Sequence, residues 1–356
     1  MTVRQLRESF SLWSAQDVPL VLATVYHTQG STYSKAGARM LIAGDGRFQG
    51  MLSGGCLEGD LAERACQVID SGAPQTVTYD LGMNDEELWG LGVGCDGLIR
   101  IFLQPLASAS AYQPFAAMDE ILGGDEPGIA ATVIQSSIAA LTAGATLLSV
   151  ADAVQSFGVA MAHQEAFTRP AAAALAERQS RMHSIGVDGE SVDVLFALLL
   201  PPPRLLLLGA GLDARPVLRL ATELGWRVTV QDHRPAYVAG GGFDNAERVL
   251  CKPASQLSDA IDYARFDAVI VMSHHLATDR VYLRQLARTS VPYVGLLGPP
   301  DRRRRLMADL GDEAKLLEAR LHGPAGLNIG ADGPASIALS IIAQIHDELI
   351  GRSGRT

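Results

Sequence analysis

Hydrophobic residues in the first third of the chain follow two spacings, that of helices and that of strands. Leu6, Phe10 and Trp13 recur every three or four positions, which predicts a helix with one buried face. Asp45 and Gly46 stand between two apolar runs, an order typical of a β-hairpin. We therefore expect an α+β domain here. Its predicted strands are 20–26, 39–42, 48–52, 76–79 and 98–102, and its second helix is 57–70.

The middle of the chain is rich in alanine and has weaker patterns. Short apolar runs predict strands at 129–135, 137–141 and 146–150, and a helix at 171–179. No residue pattern there points to a particular chemistry, so we expect a subdomain that connects the two ends of the chain. The predicted domains are 1–106, 107–200 and 201–356.

The last third follows the pattern of a parallel sheet with crossover helices. The apolar run 204–208 leads directly into Gly209-Ala210-Gly211 and a helix, and the next strand, 227–230, ends near Asp232. This order is typical of a nucleotide-binding βαβ unit. The predicted fold class is therefore α/β, with an N-terminal α+β domain and a C-terminal Rossmann-like parallel-sheet domain. Later elements of that domain are strands at 266–272 and 291–297 and a helix at 336–350.

Charge and cysteine content narrow the classes of function. The net charge of −10 argues against binding to nucleic acid, which needs a basic surface. The four cysteines have neither paired nor zinc-type spacing, so we expect reduced thiols and a cytoplasmic protein. Residues 1–10 lack the pattern of a signal peptide, and no apolar run is long enough to span a membrane.

The segment 30–58 has the clearest chemistry of the first domain. Cys56 follows Gly54 and Gly55 and precedes a predicted helix. Glycines allow a ligand to approach the backbone, and a helix start offers free N–H groups and partial positive charge. We expect Cys56 to be more thiolate-like there than a free cysteine. Two interpretations stay open: a site for an anionic or soft, metal-like ligand, or a tight turn with an inert cysteine.

The glycine turn of the third segment predicts a phosphate site. Gly209 and Gly211 allow close approach of a pyrophosphate, Ala214 lets the helix pack on the strand, and Asp232 would accept hydrogen bonds from ribose hydroxyls. Asp213 opposes this, because its charge lies in the first turn of the helix, where a phosphate would bind. NAD(P) or another nucleotide is therefore a candidate ligand.

His274 lies just after a predicted strand, at the sheet edge where such folds bind ligands. It is a candidate proton donor or ligand, and the alternative is a solvent-facing strand end. Asp279, one helical turn later, is expected to orient it. The catalytic candidates are therefore Cys56 and His274, and we find no complete acid–base set, which favours a non-enzymatic role.

Taken together, these segments resemble the XdhC/CoxI family of accessory factors for molybdenum hydroxylases such as xanthine dehydrogenase. The resemblance rests on several motifs that occur in order along both ends of the chain. They are 30–39, Ser53-Gly54-Gly55-Cys56-Leu57-Glu58, Gly94-Cys95-x-Gly97, Gly209-Ala210-Gly211-x-Asp213-Ala214, Asp232-x-Arg234-Pro235, Met272-Ser273-His274, Gly295-Leu296-Leu297-Gly298 and Gly326-Leu327.

The resemblance implies a maturation role. Such a protein would bind the molybdenum cofactor (molybdopterin), support its sulfuration by a cysteine desulfurase and insert it into a molybdenum hydroxylase. Cys56 and Cys95 would contact molybdenum. The residues expected to bind cofactor or nucleotide are Ser31, Lys35, Arg39, Ser53, Gly54, Gly55, Cys56, Glu58, Cys95, Gly209, Gly211, Ala214, Asp232 and His274.

Two other functions remain open from the sequence. One is an NAD(P)-dependent oxidoreductase. The other is a scaffold that only docks the hydroxylase and the desulfurase. A homodimer is a further candidate assembly.

Overall fold

The computed structural model describes residues 2–80 and 97–351. The chain divides into two compact units, Met1–Pro201 and Pro202–Thr356. In the described residues, no helix has both the length and the apolar character needed to cross a bilayer.

The first unit contains two antiparallel sheets and four helices among its described residues. The helices are α1 (Val3–Ser14), α2 (Glu58–Ser71), α3 (Phe115–Gly123) and α4 (Met161–Ala176). The strands are β1 (Leu20–Gly30), β2 (Arg39–Ala43), β3 (Phe48–Gln49), β4 (Gln75–Asp80), β5 (Gly97–Leu106), β6 (Gly128–Ser136), β7 (Thr146–Val150), β8 (Ala153–Phe157), β9 (Arg181–Val187) and β10 (Glu190–Leu199).

The two sheets pack face to face between two helices. Their strand orders are β3-β2-β1-β5-β4 and β8-β7-β6-β10-β9. Leu22 and Leu41 of the first sheet share a core with Leu148 of the second. Helix α2 packs through Leu61 on the outer face of the first sheet, and α4 packs through Phe167 on the outer face of the second. The unit is therefore a sandwich of four layers, helix–sheet–sheet–helix.

The two halves of this unit have the same architecture. Each consists of a helix, three strands, a second helix and two strands, and the two strand orders are identical. Each long first strand has a bulge at the same place, Tyr26 in β1 and Ile134 in β6. We call residues 3–106 the first module and residues 115–199 the second module.

Backbone hydrogen bonds show that the modules match residue by residue. Val25 O accepts from Gly37 N at 2.8 Å, and Val133 O accepts from Gly144 N at 2.8 Å. The matched segments also share short sequences. Ala-Thr-Val occurs at 23–25 and at 131–133, and Ala-Gly-Ala occurs at 36–38 and at 143–145. The described part of the first unit is therefore two copies of one module.

The second unit is a six-stranded parallel sheet with helices on both faces. Its strand order, β13-β12-β11-β14-β15-β16, is the Rossmann order. This confirms the predicted fold class. The strands are β11 (Arg204–Leu208), β12 (Arg227–Asp232), β13 (Arg248–Cys251), β14 (Ala268–Val271), β15 (Tyr293–Leu296) and β16 (Leu321–His322). The helices are α5 (Ala214–Glu223), α6 (Pro235–Ala239), α7 (Leu276–Ala287), α8 (Pro300–Leu310) and α9 (Pro334–Leu349).

Several predictions for the middle of the chain were wrong. Residues 137–141 form a loop rather than a strand. The predicted helix 171–179 is helical over 171–176, but the helix begins at Met161 and ends at Ala176. Pro170 lies inside that helix, although proline usually marks a helix start or break. Strands β8 to β10 and helix α3 were not predicted.

Candidate functional site

The loop before α2 is organised by one buried carboxylate. Glu58 is 2% exposed, and its Oε1 accepts hydrogen bonds from the N–H groups of Leu52 at 2.8 Å and Ser53 at 2.9 Å. Its Oε2 accepts from the Ser53 hydroxyl at 2.6 Å and from the N–H groups of Gly55 at 3.0 Å and Leu57 at 3.2 Å. Glu58 therefore holds residues 52–57, which we call the cysteine loop, in one conformation.

These contacts also determine the charge of Glu58. Burial alone would raise its pKa, but the hydrogen bonds from Ser53 and Leu52 outweigh burial and hold the pKa below its ordinary value. Only one of the N–H groups bound by this carboxylate, that of Leu57, lies at the start of α2. The other N–H donors belong to the loop before the helix.

Cys56 is the reactive group that the cysteine loop leaves open. It is a free cysteine of intermediate exposure, and its thiol makes no hydrogen bond within the described part of the chain. Gly54 and Gly55 have φ of +82° and +111°, which side chains rarely adopt. Both glycines are exposed, so the backbone beside Cys56 is open to a ligand.

The β1–β2 loop lies against the cysteine loop. A Cβ on Gly54 would lie 3.5 Å from the Tyr33 ring, and the Ser34 hydroxyl donates to Met51 O at 3.4 Å. Ser31 is exposed, and its carbonyl oxygen packs closely on Gly97, where a Cβ would lie only 2.3 Å away. Lys35 is exposed on the same loop. The structure thus brings Ser31 and Lys35 to the end of the sheet that carries the cysteine loop.

Arg39 lies on the other face of that sheet. Its Nη1 donates to Leu198 O at 3.1 Å, and its guanidinium lines a small cavity between the two sheets with Thr24, Gln104 and Thr132. Its Nη2 is buried and has no hydrogen-bond partner among the described residues, and burial lowers the pKa of Arg39 to about 10. The packing therefore separates Arg39 from the cysteine loop. Cys95 lies outside the described residues.

In the second unit, the acid predicted to bind ribose is engaged by its own chain. Asp232 is fully buried, and its Oδ2 accepts from Ala210 N and from Arg234 Nη2, both at 2.8 Å. Its Oδ1 accepts from Arg234 N and Nε, both at 2.9 Å. Burial alone would raise the pKa of Asp232, but these hydrogen bonds outweigh it and lower the pKa. A ribose hydroxyl would have to displace Arg234.

The glycine turn itself is tightly packed. Gly209 has φ of +148°, and a Cβ there would lie 2.3 Å from Met272 O. A Cβ on Gly211 would lie 2.5 Å from the Asp213 carboxylate. These glycines therefore make room for the chain itself, and Ala214 is fully buried where α5 meets the sheet.

Asp213 pairs with His274 across the carboxyl edge of the sheet. His274 Nε2 lies 2.7 Å from Asp213 Oδ2, and His274 has φ of +58°, which is unusual for a residue other than glycine. The expectation that Asp279 orients His274 was wrong. Asp279 instead accepts from the Ser273 hydroxyl and from Arg302 Nη2, because its carboxylate is buried beneath the turn.

Apart from Arg39 and Cys95, the predicted site residues fall into two groups in different units. One group surrounds the cysteine loop, and the other lies at the carboxyl edge of the parallel sheet. No cluster of three or more metal-ligating side chains occurs within residues 2–80 and 97–351. Tyr33 and Arg234 had no predicted role, although Tyr33 lies against Gly54 and Arg234 binds Asp232. An aromatic residue in a glycine-rich loop was a usable signal for Tyr33, and Arg234 was part of a motif but had no role assigned.

Comparison with known proteins agrees with this two-part architecture. Residues 205–345 match the family model described as the XdhC Rossmann domain, and residues 13–80 match the model of the XdhC and CoxI family. A protein of Bacillus subtilis (strain 168), named as a probable xanthine dehydrogenase subunit, is 30% identical over 91% of this chain. The match covers 92% of that relative.

Two further relatives extend the comparison. A protein of Escherichia coli (strain K12) named molybdenum cofactor insertion chaperone PaoD is 33% identical over 28% of this chain and 29% of its own. A crystal structure from Bacillus halodurans, described as a xanthine dehydrogenase, matches with a TM-score of 0.80 and 28% identity. It covers 100% of this chain and 97% of that one. The resemblance found in the sequence is thereby confirmed, and the chain belongs to the XdhC and CoxI family.

Proposed function

We propose that this protein is an accessory factor that holds the molybdenum cofactor at the cysteine loop and inserts it into a hydroxylase of the xanthine dehydrogenase type. The observation that carries the proposal is the open Cys56 thiol, which lies next to two exposed glycines in a loop fixed by Glu58. Sulfuration of the bound cofactor by a cysteine desulfurase belongs to the same proposal.

The side chains at this end of the sheet suit such a cargo. Molybdopterin carries a phosphate and a dithiolene that already ligates the metal, so one additional thiolate is a sufficient protein contact for a soft metal centre. The described residues offer one open thiol there, Cys56, rather than a closed set of ligands. Ser31 and the exposed Lys35 supply a hydroxyl and a positive charge for the phosphate.

Nicotinamide-dependent oxidation is the alternative that the Rossmann topology favours. The contacts around the glycine turn speak against it, since Asp232 is saturated by Ala210 and Arg234. In addition, Asp213 places a carboxylate beside Gly211. We therefore favour a structural or docking role for the second unit.

Cofactor retention tests the proposal. The protein is produced with a molybdenum hydroxylase operon, purified without oxygen, and its molybdopterin is quantified as an oxidised fluorescent derivative. Cys56→Ser is expected to lower retention at least tenfold. Cys66→Ser is the matched control, because Cys66 is an exposed thiol on α2 and is expected to leave retention unchanged.

The outcomes separate the functions. Wild-type protein that retains no molybdopterin contradicts the proposal. If Cys56→Ser captures the apo-hydroxylase as well as wild type and neither retains cofactor, the protein is a docking scaffold. Two further proposals are tested separately. Capture of a cysteine desulfurase by the protein tests that partner. The mass of the free protein in sedimentation tests whether it forms a homodimer.

A further inference from the structure

The two modules of the first unit provide a comparison within one chain. They have the same fold, so a feature of the first module that the second lacks is not required by that fold. The cysteine loop is such a feature. Gln49 and Gln155 pair with the matched residues Leu41 and Leu148, and from there to the next helix the first module has residues 50–57, whereas the second has 156–160. The loop is therefore longer than the shared fold requires, although its Leu52 and Leu57 pack in the core.

Tyr33 is a second feature of the first module alone. Counting back from the matched glycines Gly37 and Gly144, the residue at its position in the second module is Ala140. Tyr33 is 61% exposed, an unusual state for an aromatic side chain. Both first-module features lie at the same end of the first sheet, because the Tyr33 ring lies against Gly54.

One edge of the Tyr33 ring lies against Gly54. Its Cδ2 and Cε2 lie 3.5 and 3.7 Å from the point that a Gly54 Cβ would occupy. The loop therefore supports the ring at this edge, and the 61% exposure of Tyr33 shows that the described residues cover little of the rest. A supported aromatic ring with a free surface is a stacking platform for planar rings.

We infer that Tyr33 is the platform on which the planar heteroaromatic ring of the ligand stacks, beside the loop that carries Gly54 and Cys56. The inference rests on the proposed function and adds a contact to the organic ring, separate from the sulfur contact to the metal. Stacking on an aromatic side chain contributes roughly 1–3 kcal/mol per ring, equivalent to about 5- to 150-fold in affinity.

A plain pterin, without phosphate, dithiolene or metal, isolates this contact. Its fluorescence is titrated with wild-type protein and with Tyr33→Phe, Tyr33→Ala and Phe48→Ala. We expect Tyr33→Phe to stay within about twofold of wild type and Tyr33→Ala, which installs the second module's residue, to lose at least about fivefold. Phe48→Ala, which removes another exposed aromatic of this module, is the control and should bind plain pterin as wild type does.

The results distinguish failure of this inference from failure of the proposed function. Suppose that wild type retains molybdopterin, and that Tyr33→Ala equals wild type both in binding plain pterin and in retaining molybdopterin. Then Tyr33 is not the platform, but the proposed function stands. If wild type binds neither molybdopterin nor plain pterin, both fail. Circular dichroism of Tyr33→Ala checks that its fold is intact, as expected for an exposed side chain.

Discussion

The Ser53 hydroxyl lies 2.6 Å from Glu58 Oε2, and this contact joins the cysteine loop to the first turn of α2. In Glu58→Gln, one carboxylate oxygen becomes an NH₂ group that faces N–H donors. We expect the free energy of unfolding at pH 7 to fall by about 2 kcal/mol, the range for hydrogen bonds to a charged group. Urea unfolding measures this loss. A variant as stable as wild type would contradict the role given to Glu58.

The same carboxylate predicts a pH dependence. The folded state lowers the pKa of Glu58 below its ordinary value of 4.5, so its stabilisation is complete above that pH. The stabilisation is lost as pH falls through the folded-state pKa, where the folded protein must also take up the proton. The stability difference between wild type and Glu58→Gln should therefore shrink below about pH 4.5. A constant difference from pH 7 to pH 3 would contradict this.

The pair Asp213–His274 predicts weak nucleotide binding. A phosphate at the start of α5 would meet the Asp213 carboxylate, and Asp232 has no free acceptor for ribose. We expect no saturable change in NADH or NADPH fluorescence at protein concentrations up to about 1 mM. The dissociation constant would then exceed about 1 mM, which corresponds to a binding free energy weaker than about 4 kcal/mol. Micromolar binding that Gly211→Val abolishes would instead establish the nucleotide site.

Asp232 is expected to stabilise the second unit. Asp232→Ala leaves the Arg234 guanidinium without its carboxylate, and loss of one partner of a buried pair costs about 3 kcal/mol. Urea unfolding followed by the buried Trp226, with Trp13 and Trp89 replaced by phenylalanine, measures this unit. The control is Asp312→Ala, which removes an exposed acid and should change stability by less than about 0.5 kcal/mol.

Arg39 and Lys35 should differ in their effect on cofactor retention. Arg39→Met removes a guanidinium that faces the cavity between the sheets, so retention should equal that of wild type. Lys35→Thr installs the residue of the second module, Thr142, and removes a positive charge beside the cysteine loop, so retention should fall. If Arg39→Met loses retention while its thermal unfolding is unchanged, Arg39 belongs to the site after all.

Local sequence order predicted much of the fold. Gly209-Ala210-Gly211 and Asp232 mark a βαβ unit whose parts are near in sequence, so their spacing was sufficient. Strand β8 could not be found in this way, because its first three residues are exposed and carry no apolar alternation. The two-module architecture was readable from Ala-Thr-Val and Ala-Gly-Ala, but both are short and lie about a hundred residues apart.

The sequence indicated the cysteine loop but not the contacts that hold it. Cys56 and its glycines stay predicted site residues, chosen from composition and position. The role of Glu58 was not, because a glutamate in a first helical turn usually only complements the helix dipole, whereas here it turns back to bind four N–H groups. Arg39 was misleading, since sequence does not show to which face of β2 its side chain points.

A protein assembled from two identical subunits must carry every added loop twice, because one gene encodes both. The two modules here are encoded separately within one chain. One module could therefore acquire the longer connection 50–57, while the other kept the shorter connection 156–160 and continued to supply its part of the core. Covalent linkage thus allows the two halves of one fold to diverge.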